Sequence, residues 1–305
     1  MTKYTGTTGS ILGYYPGKEI GEIWGFRTDG YFTTWYEAND WATDKYHKNG
    51  SNFRAYAGDL RFIDVDGNGN IDYGKQCYIV DEKTGDVTFD VGDLERLGNE
   101  TPRYQYGINL DFRWNGIGLS MFWQGVGHRD WYPSCETGLF YGGYNRPYMG
   151  VMKTQIGDNY VHMNYTNEDG SVNPYWVVTN ADQHPYWTRR VGYNANRNVG
   201  PLTVENDYYM QNAAYLRLKN LTVDYSLPKQ TVKKIGLENI KFYVTLENLL
   251  TFSPIFKHTQ AFDPEGIDLG DTDFDSYSNF GLSGIGQGYS YPMLKSYTFG
   301  VNLTF

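Results

Sequence analysis

The last nine residues constrain the fold more than any other stretch. Tyr297, Phe299, Val301, Leu303 and Phe305 share one parity; Thr298, Gly300, Asn302 and Thr304 share the other. Side chains alternate between faces along a β-strand. The pattern therefore predicts a strand with large apolar groups on one side and small polar ones on the other. Strands of soluble sandwiches usually end in a polar tail, so the aromatic Phe305 points instead to a strand whose apolar side meets lipid.

The same alternation recurs upstream. Ile240, Phe242, Val244 and Leu246 alternate with Lys241, Tyr243, Thr245 and Glu247. Tyr104, Tyr106, Ile108, Leu110, Phe112 and Trp114 alternate with Gln105, Gly107, Asn109, Asp111 and Arg113. Asn115-Gly116 follows, the strongest signal for a two-residue type I′ turn. Ile117, Leu119, Met121 and Trp123 then continue the apolar face on the return strand. In such a hairpin Trp114 pairs with Ile117, so the pattern holds register across the turn. Residues 216–225 change phase: Leu216 and Leu218 share one parity, Leu221, Val223 and Tyr225 the other. A bulge near Lys219-Asn220, or emergence of the strand from the membrane there, accounts for the change.

Periodicity alone does not separate a soluble sandwich, propeller or lectin from a membrane barrel. Composition leans toward the soluble reading: mean hydropathy is −0.58, although aromatics make up 17% and include 29 Tyr. No run approaches the ~18 apolar residues of a membrane helix. A barrel strand needs only roughly 10 alternating residues, with Tyr and Trp enriched at the interfaces. Connection lengths decide between the two. The Asn115-Gly116 turn is short, residues 127–212 are long, residues 226–239 are compact, and residues 251–292 are long again. Outer-membrane barrels have short periplasmic turns and long outer loops. Applied here, that rule puts the chain end in the periplasm. In the compact link, Pro228 opens a short helical turn, Gly236 closes it, and Val232 and Ile235 form its apolar side.

Two candidate sites emerge. In residues 64–72, Asp64, Asp66, Asn68, Asn70 and Asp72 place oxygen ligands at every second position. Gly69 stands sixth, where calcium loops of the EF-hand type need a tight turn, and Ile71 stands eighth as an apolar pin. Position 12 is Lys75 rather than Glu, so Asp81, Glu82 or Asp93 would have to complete a Ca2+ site, or one for a similar hard cation. The competing reading is an ion-free turn held by Asx hydrogen bonds. The second candidate is the aromatic long loop, where Trp131, Tyr132, Trp176 and Trp187 are ligand-binding candidates for stacking on sugar rings. Against it stands packing of these rings on one another.

Several function classes are excluded. A net charge of −9 argues against a nucleic-acid partner. His47, His128, His162, His184 and His258 show no HExxH spacing, and no P-loop or GxSxG occurs, so an enzyme is not expected. Cys77 and Cys135 carry no metal spacing; a disulfide and two free thiols both remain open.

The ordered motifs resemble the C-terminal third of the SusC/RagA-type TonB-dependent transporters of Bacteroidetes. They run from Gly21-Glu22-Ile23-Trp24-Gly25-Phe26-Arg27-Thr28-Asp29-Gly30-Tyr31-Phe32, through Gly58-Asp59-Leu60-Arg61-Phe62 and the 64–72 loop, to Phe122-Trp123-Gln124-Gly125. Tyr215-Leu216-Arg217-Leu218-Lys219-Asn220-Leu221, Glu247-Asn248-Leu249, Asp263-Pro264-Glu265 and the segment from Tyr291-Pro292 to Phe305 complete them. Residues 75–90 are an insertion relative to that pattern.

The resemblance implies a plugged barrel of about 22 strands. It also implies a TonB complex as energy source, a SusD-like surface lipoprotein as partner, and an oligosaccharide or peptide as substrate. The fold expected for residues 1–305 is all-β: the C-terminal, antiparallel part of a transmembrane β-barrel with long extracellular loops, lacking the plug and the N-terminal strands. About five to eight spanning strands fit in this length. Met1-Thr2-Lys3-Tyr4 opens no signal-peptide pattern. The expectation is a fragment that reaches the outer membrane within a full-length protein, needs the remainder of the barrel, and imports nutrients, glycans foremost, only as part of it. The alternative is a surface carbohydrate-binding β-module.

Overall fold

The computed structural model describes residues 7–38, 40, 57–132, 161–162, 165–173, 177–178, 186, 205–258, 260, 262–267 and 293–305. Two compact units form. One comprises Pro102–Asp130, Gln211–Ile267 and Gly288–Phe305; the other comprises Met1–Thr101, Trp131–Met210 and Asp268–Gln287. No helix among the described residues is long and apolar enough to cross a membrane.

The first of these units is built on a five-stranded antiparallel sheet. Its strands are β1 (Arg103–Trp114), β2 (Ile117–His128), β3 (Tyr215–Ser226), β4 (Asn239–Phe252) and β5 (Ser296–Thr304), in the spatial order β5-β4-β3-β2-β1. The predicted hairpin is present, with Trp114 opposite Ile117. Asn115 and Gly116 take φ of 47° and 86°, the left-handed pair that a type I′ turn requires.

The phase change in residues 216–225 is a bulge. From Leu218 to Asn220, β3 advances two residues while β2 moves one, from Trp123 to Phe122. Over the same interval β4 moves three, from Leu250 to Glu247. The extra residue on β3 keeps Leu216 and Leu218 on the same face as Leu221, Val223 and Tyr225 despite their opposite parity. The second offset returns β4 to its own alternation, with Asn248 at φ 51° marking the irregularity.

Between β3 and β4, helix α1 (Lys229–Lys233) follows Pro228, and Gly236 ends the turn at φ 77°. Val232 is buried as the sequence predicts. Ile235 is 63% exposed, so the expected apolar side reduces to Val232 alone. The helix runs only from 229 to 233, and Ile235 lies beyond its last turn.

The other unit consists of short antiparallel ladders. Glu22–Phe26 pairs with Leu94–Asn99, and Thr28–Tyr31 pairs with Leu60–Phe62. The 75–90 insertion folds as a hairpin, Cys77–Val80 with Val87–Asp90, and Thr8–Ser10 adds a third strand beside it. Its rings give it a core: Tyr15 packs on Tyr78 and on Phe89, which also meets Trp24, at centroid distances of 5.5, 5.3 and 5.4 Å. The Glu22 carboxylate beneath them is 1% exposed. A buried charge is costly unless it is fully bonded. Here it accepts from the Tyr15 hydroxyl, from Trp24 Nε1 at 3.2 Å and from the Glu19 amide at 2.8 Å, and Arg96 lies 3.3 Å away. Nearby, the carbonyl of Glu205 accepts from the Phe26 amide at 2.8 Å. The chain passes so close to Gly25 that any Cβ there would collide with it.

Candidate functional site: a membrane face and a cation loop

One face of the five-stranded sheet is apolar and open. Tyr104, Tyr106, Ile108, Leu110, Phe112 and Trp114 of β1 are 40–76% exposed. Tyr297, Phe299, Val301 and Leu303 of β5 are 49–76% exposed, and Phe305 reaches 84%. Register joins these rows into one surface. Phe299 lies beside Val244, Val244 beside Val223, Val223 beside Leu119, and Leu119 beside Phe112. The opposite face is polar and bonded across strands: Ser120 donates to Asp111 at 2.6 Å, Thr222 and Thr245 share a bond of 2.9 Å, and Ser296 donates to Glu247 at 2.6 Å. Soluble monomers rarely expose an apolar surface spanning five strands. A barrel wall does so by design, with apolar groups toward lipid and polar ones toward the lumen.

A charged cluster lies at the Tyr215 end of β3, on the polar face. Arg217 is 3% exposed. Its guanidinium binds Asp263, Glu265 at 2.6 Å and the Thr251 hydroxyl at 2.9 Å, while Lys219 donates to Glu265 at 2.9 Å. Burial pushes the Asp263 carboxyl up. The Arg217 hydrogen bond and the amides of Met293 and Glu265 outweigh that and hold it below the usual carboxylate range. The sequence reading quoted these residues only as parts of motifs. The available signal was an arginine at polar parity within a strand and an Asp-Pro-Glu beyond the next one.

The 64–72 loop has the predicted turn geometry, with Gly67 and Gly69 at φ 71° and 85° and Ile71 buried beneath. Asx hydrogen bonds run through it: Asp64 accepts from the Gly69 amide at 2.8 Å, Asp66 from Asn68 at 2.9 Å, and Asn68 from Asn70 at 2.7 Å. The carboxylates that converge are Asp64, Asp66 and Asp93, with one oxygen from each lying within 4.8 Å of the others. Of the three substitutes for the missing Glu, the fold brings Asp93 to the loop. Asp81 caps its own turn through the Lys83 and Thr84 amides instead.

Asp72 is outside the converging set, and its carboxylate accepts from the Gly74 amide at 2.7 Å. Asp93 is fully buried and accepts from the amides of Val65 at 2.6 Å and Asp72 at 2.8 Å. Burial pushes its carboxyl above the usual range, and those amides only partly pull it back. The Asn70 side-chain oxygen is buried with no hydrogen-bond partner among the described residues. An all-oxygen set with one unsatisfied carbonyl suits a hard cation such as Ca2+.

Among the described residues the loop aromatics do not form an exposed platform. Trp131 and Tyr132 are 2% and 8% exposed. The Tyr132 hydroxyl accepts from the buried Asn206 amide at 2.9 Å. Tyr186 stacks on Tyr208 at 5.3 Å, and Tyr208 meets Tyr209 edge-on at 5.0 Å. The rings of Trp131 and Tyr132, expected as stacking platforms for a sugar, are thus covered rather than presented to solvent in this structure. Trp176 and Trp187 lie outside the described residues. Cys77 is a free thiol, and Cys135 is also outside them.

These features define a partial, antiparallel all-β sheet of the kind that forms a membrane barrel wall. Comparison with known proteins agrees. No protein-family model matches the chain. It is 26% identical over 252 residues to TonB-dependent receptor P3 of Formosa agariphila, covering 80% of this chain and 19% of that protein. It is 24% identical over 230 residues to TonB-dependent receptor P26 of the same organism, covering 73% and 19%. Among solved structures, the RagAB peptide transporter aligns over 98% of this chain and 25% of its own, at 16% identity and a TM-score of 0.48. The RagAB peptide importer in the open-open state aligns over 95% and 24%, at 16% identity and a TM-score of 0.40. The resemblance to TonB-dependent receptors carried by the sequence motifs holds: the chain is similar to two of them. It spans about a fifth of the length of the curated relatives it matches.

Proposed function

We propose that this chain forms part of the barrel wall of an outer-membrane, TonB-dependent nutrient importer. The reading rests on one observation, the continuous exposed apolar face of β1–β5 backed by a polar face. The likeness to TonB-dependent receptors supports it. In this reading the remainder of the barrel pairs with the edges of β1 and β5. A TonB complex supplies energy through other parts of the protein, and a SusD-like surface lipoprotein hands over an oligosaccharide or a peptide. The chain takes no part in covalent chemistry. Ca2+ or a similar hard cation, held by Asp64, Asp66 and Asp93 with the Asn70 carbonyl, would tie the 64–72 loop to the start of the Leu94–Asn99 strand.

The test is a pair of neighbouring substitutions in the complete gene product. Phe299 lies on the apolar face and Thr298, paired with Thr245, on the polar one. Phe299 pairs with Val244, five residues in from Asn239 at the short α1 link, roughly 13 Å up a tilted strand and so near mid-bilayer. Arginine on the lipid face there costs about 2–4 kcal/mol. Phe299→Arg should block outer-membrane assembly and Thr298→Arg should largely spare it. Equal tolerance of both would reverse the assignment of faces.

A further inference from the structure

The apolar face of the sheet is not uniform. Along β2 the residues of lipid-facing parity are Ile117, Leu119, Met121, Trp123, Gly125 and Gly127. The side chains stop at Gly125; the Tyr106 ring lies across that glycine, and the trench opens one step further on, at Gly127. Tyr106 borders it from β1, Leu216 from β3 and Phe252 from β4, and the volume between them is about 600 Å3. A short 3-10 helix, Pro254–Lys257, forms a ledge across the end, with Pro254 and Phe256 on the trench. The ledge is firmly seated. Ile255 is fully buried, and the Ser253 hydroxyl donates to the Ala214 carbonyl at 2.6 Å.

Position along the strand sets the depth of the trench. Tyr106 precedes Trp114, beside the hairpin turn, by eight residues. At ~3.4 Å per residue and a tilt of ~40°, that is roughly 20 Å above the turn, in the upper part of an apolar band about 25 Å tall. The trench therefore opens into the leaflet farther from the turn. The residue after Phe256 is Lys257, exposed and with no ion-pair or hydrogen-bond partner among the described residues. An exposed cation next in the chain to the trench residue Phe256 suits an anionic lipid, with phosphate at the interface and acyl chain below.

We propose that this trench is a specific binding site for an anionic lipid of the outer leaflet, one acyl chain lying over Gly127 between Tyr106, Leu216 and Phe252 and the headgroup phosphate reaching Lys257. The proposal rests on the lipid-facing reading of the sheet. The site exists because Gly127 puts no side chain on β2 at that level. Gly127 has an ordinary backbone conformation, so a larger residue fills the trench without backbone strain. A Cβ there would lie 3.1 Å from Tyr104 Cβ, which has to yield only by a few tenths of an ångström.

The test is native mass spectrometry of the complete gene product in mild detergent, titrated with diphosphoryl lipid A. Wild type should bind one lipid saturably. Gly127→Leu and Lys257→Glu should each weaken binding at least tenfold. A neutral diacylglycerol should bind wild type more weakly, respond to Gly127→Leu, and ignore Lys257→Glu. Heat-modifiable gel mobility confirms that each variant assembles. Absence of saturable binding to wild type, equal binding by the assembled variants, or a polypeptide retained in place of lipid would each overturn the site. If Phe299→Arg assembles normally, the membrane reading fails; if only the lipid titration fails, that reading stands and the trench does not.

Discussion

Removing one residue from the middle of a strand normally turns half of it inside out, but the bulge makes Lys219 an exception. Lys219 is the extra residue of β3 relative to β2. Without it, Leu218 still meets Trp123 and Asn220 still meets Phe122, now as consecutive pairs, and every face is preserved. Against β4, which already advances one residue more than β3 here, the offset widens to two within the existing irregularity; the side-chain loss is the Lys219–Glu265 bond, at 2.9 Å with the lysine side chain 22% exposed. Pairs of this kind contribute about 0–1 kcal/mol. Deleting Leu221 two residues on has no such relief. If the Tyr215 end of β3 shifts, Arg217 turns to lipid near the upper rim of the apolar band, costing about 0–1 kcal/mol there. Breaking its buried pairing costs roughly 3–5 kcal/mol more. If the Ser226 end shifts instead, Val223 and Tyr225 leave the apolar face at about 1.5–3 kcal/mol each. Either route thus costs on the order of 3–6 kcal/mol against a typical margin of about 5–15 kcal/mol. Expressed as complete gene products and scored by heat-modifiable mobility in outer-membrane fractions, the Lys219 deletion should assemble close to wild type. The Leu221 deletion should fall roughly a hundredfold or more in folded-to-unfolded ratio. Equal assembly of the two, or a Lys219 deletion as defective as the Leu221 deletion, would refute the account of the bulge.

Calorimetry should detect Ca2+ binding that Asp66→Ala and Asp93→Asn each abolish; flat traces for wild type would leave the loop as an Asx-stabilised turn. Asp263 makes stability depend on pH. Its folded-state pKa is depressed, so its contribution is complete above the ordinary carboxylate value of about 3.9 and is lost as pH falls through the lower folded value. The difference in thermal stability between wild type and Asp263→Asn should therefore be present at pH 7 and shrink in acid. A difference unchanged at pH 3 would contradict the Arg217 pairing. On β5, Gly300 accepts the Tyr243 ring across it, with Tyr243 Cε1 only 2.5 Å from where a Cβ would sit. Gly300→Val should cost about 1–3 kcal/mol in a denaturant titration through overpacking, and an unchanged midpoint would mean that the ring moves aside freely.

The sheet was legible because its signals are local. Alternation in β1, β2, β4 and β5 is a property of consecutive residues, and Asn115-Gly116 specifies its own turn. Even the bulge showed as a parity break, since a misplaced face would put leucines in the lumen. Contacts between distant segments were harder to read. Asp93 lies more than twenty residues beyond the loop it reaches, and only the fold selects it over Asp81 or Glu82. Trp131 and Tyr132 read equally well as platform or core, because an aromatic residue carries no mark of which side of its ring is covered. The Arg217 cluster escaped for the same reason: its acids arrive from a loop some 45 residues downstream.

The face and the edges of the sheet make opposite demands on the solvent. In water the edges of β1 and β5 are satisfied, because water bonds their free amides and carbonyls, but the apolar rows from Tyr104 to Trp114 and from Tyr297 to Phe305 are penalised. In hydrocarbon those rows are at home, and each unpaired edge group costs several kcal/mol. A soluble sandwich would solve the first problem by covering the face with a second sheet. Among the described residues no second sheet lies on it, and the rows at both edges are open. Lipid solves the face but not the edges. Further strands pairing with β1 and β5 solve the edges but not the face. Only both together satisfy every group, which is why a barrel completed by other strands is a better account of these five than any arrangement they can reach alone.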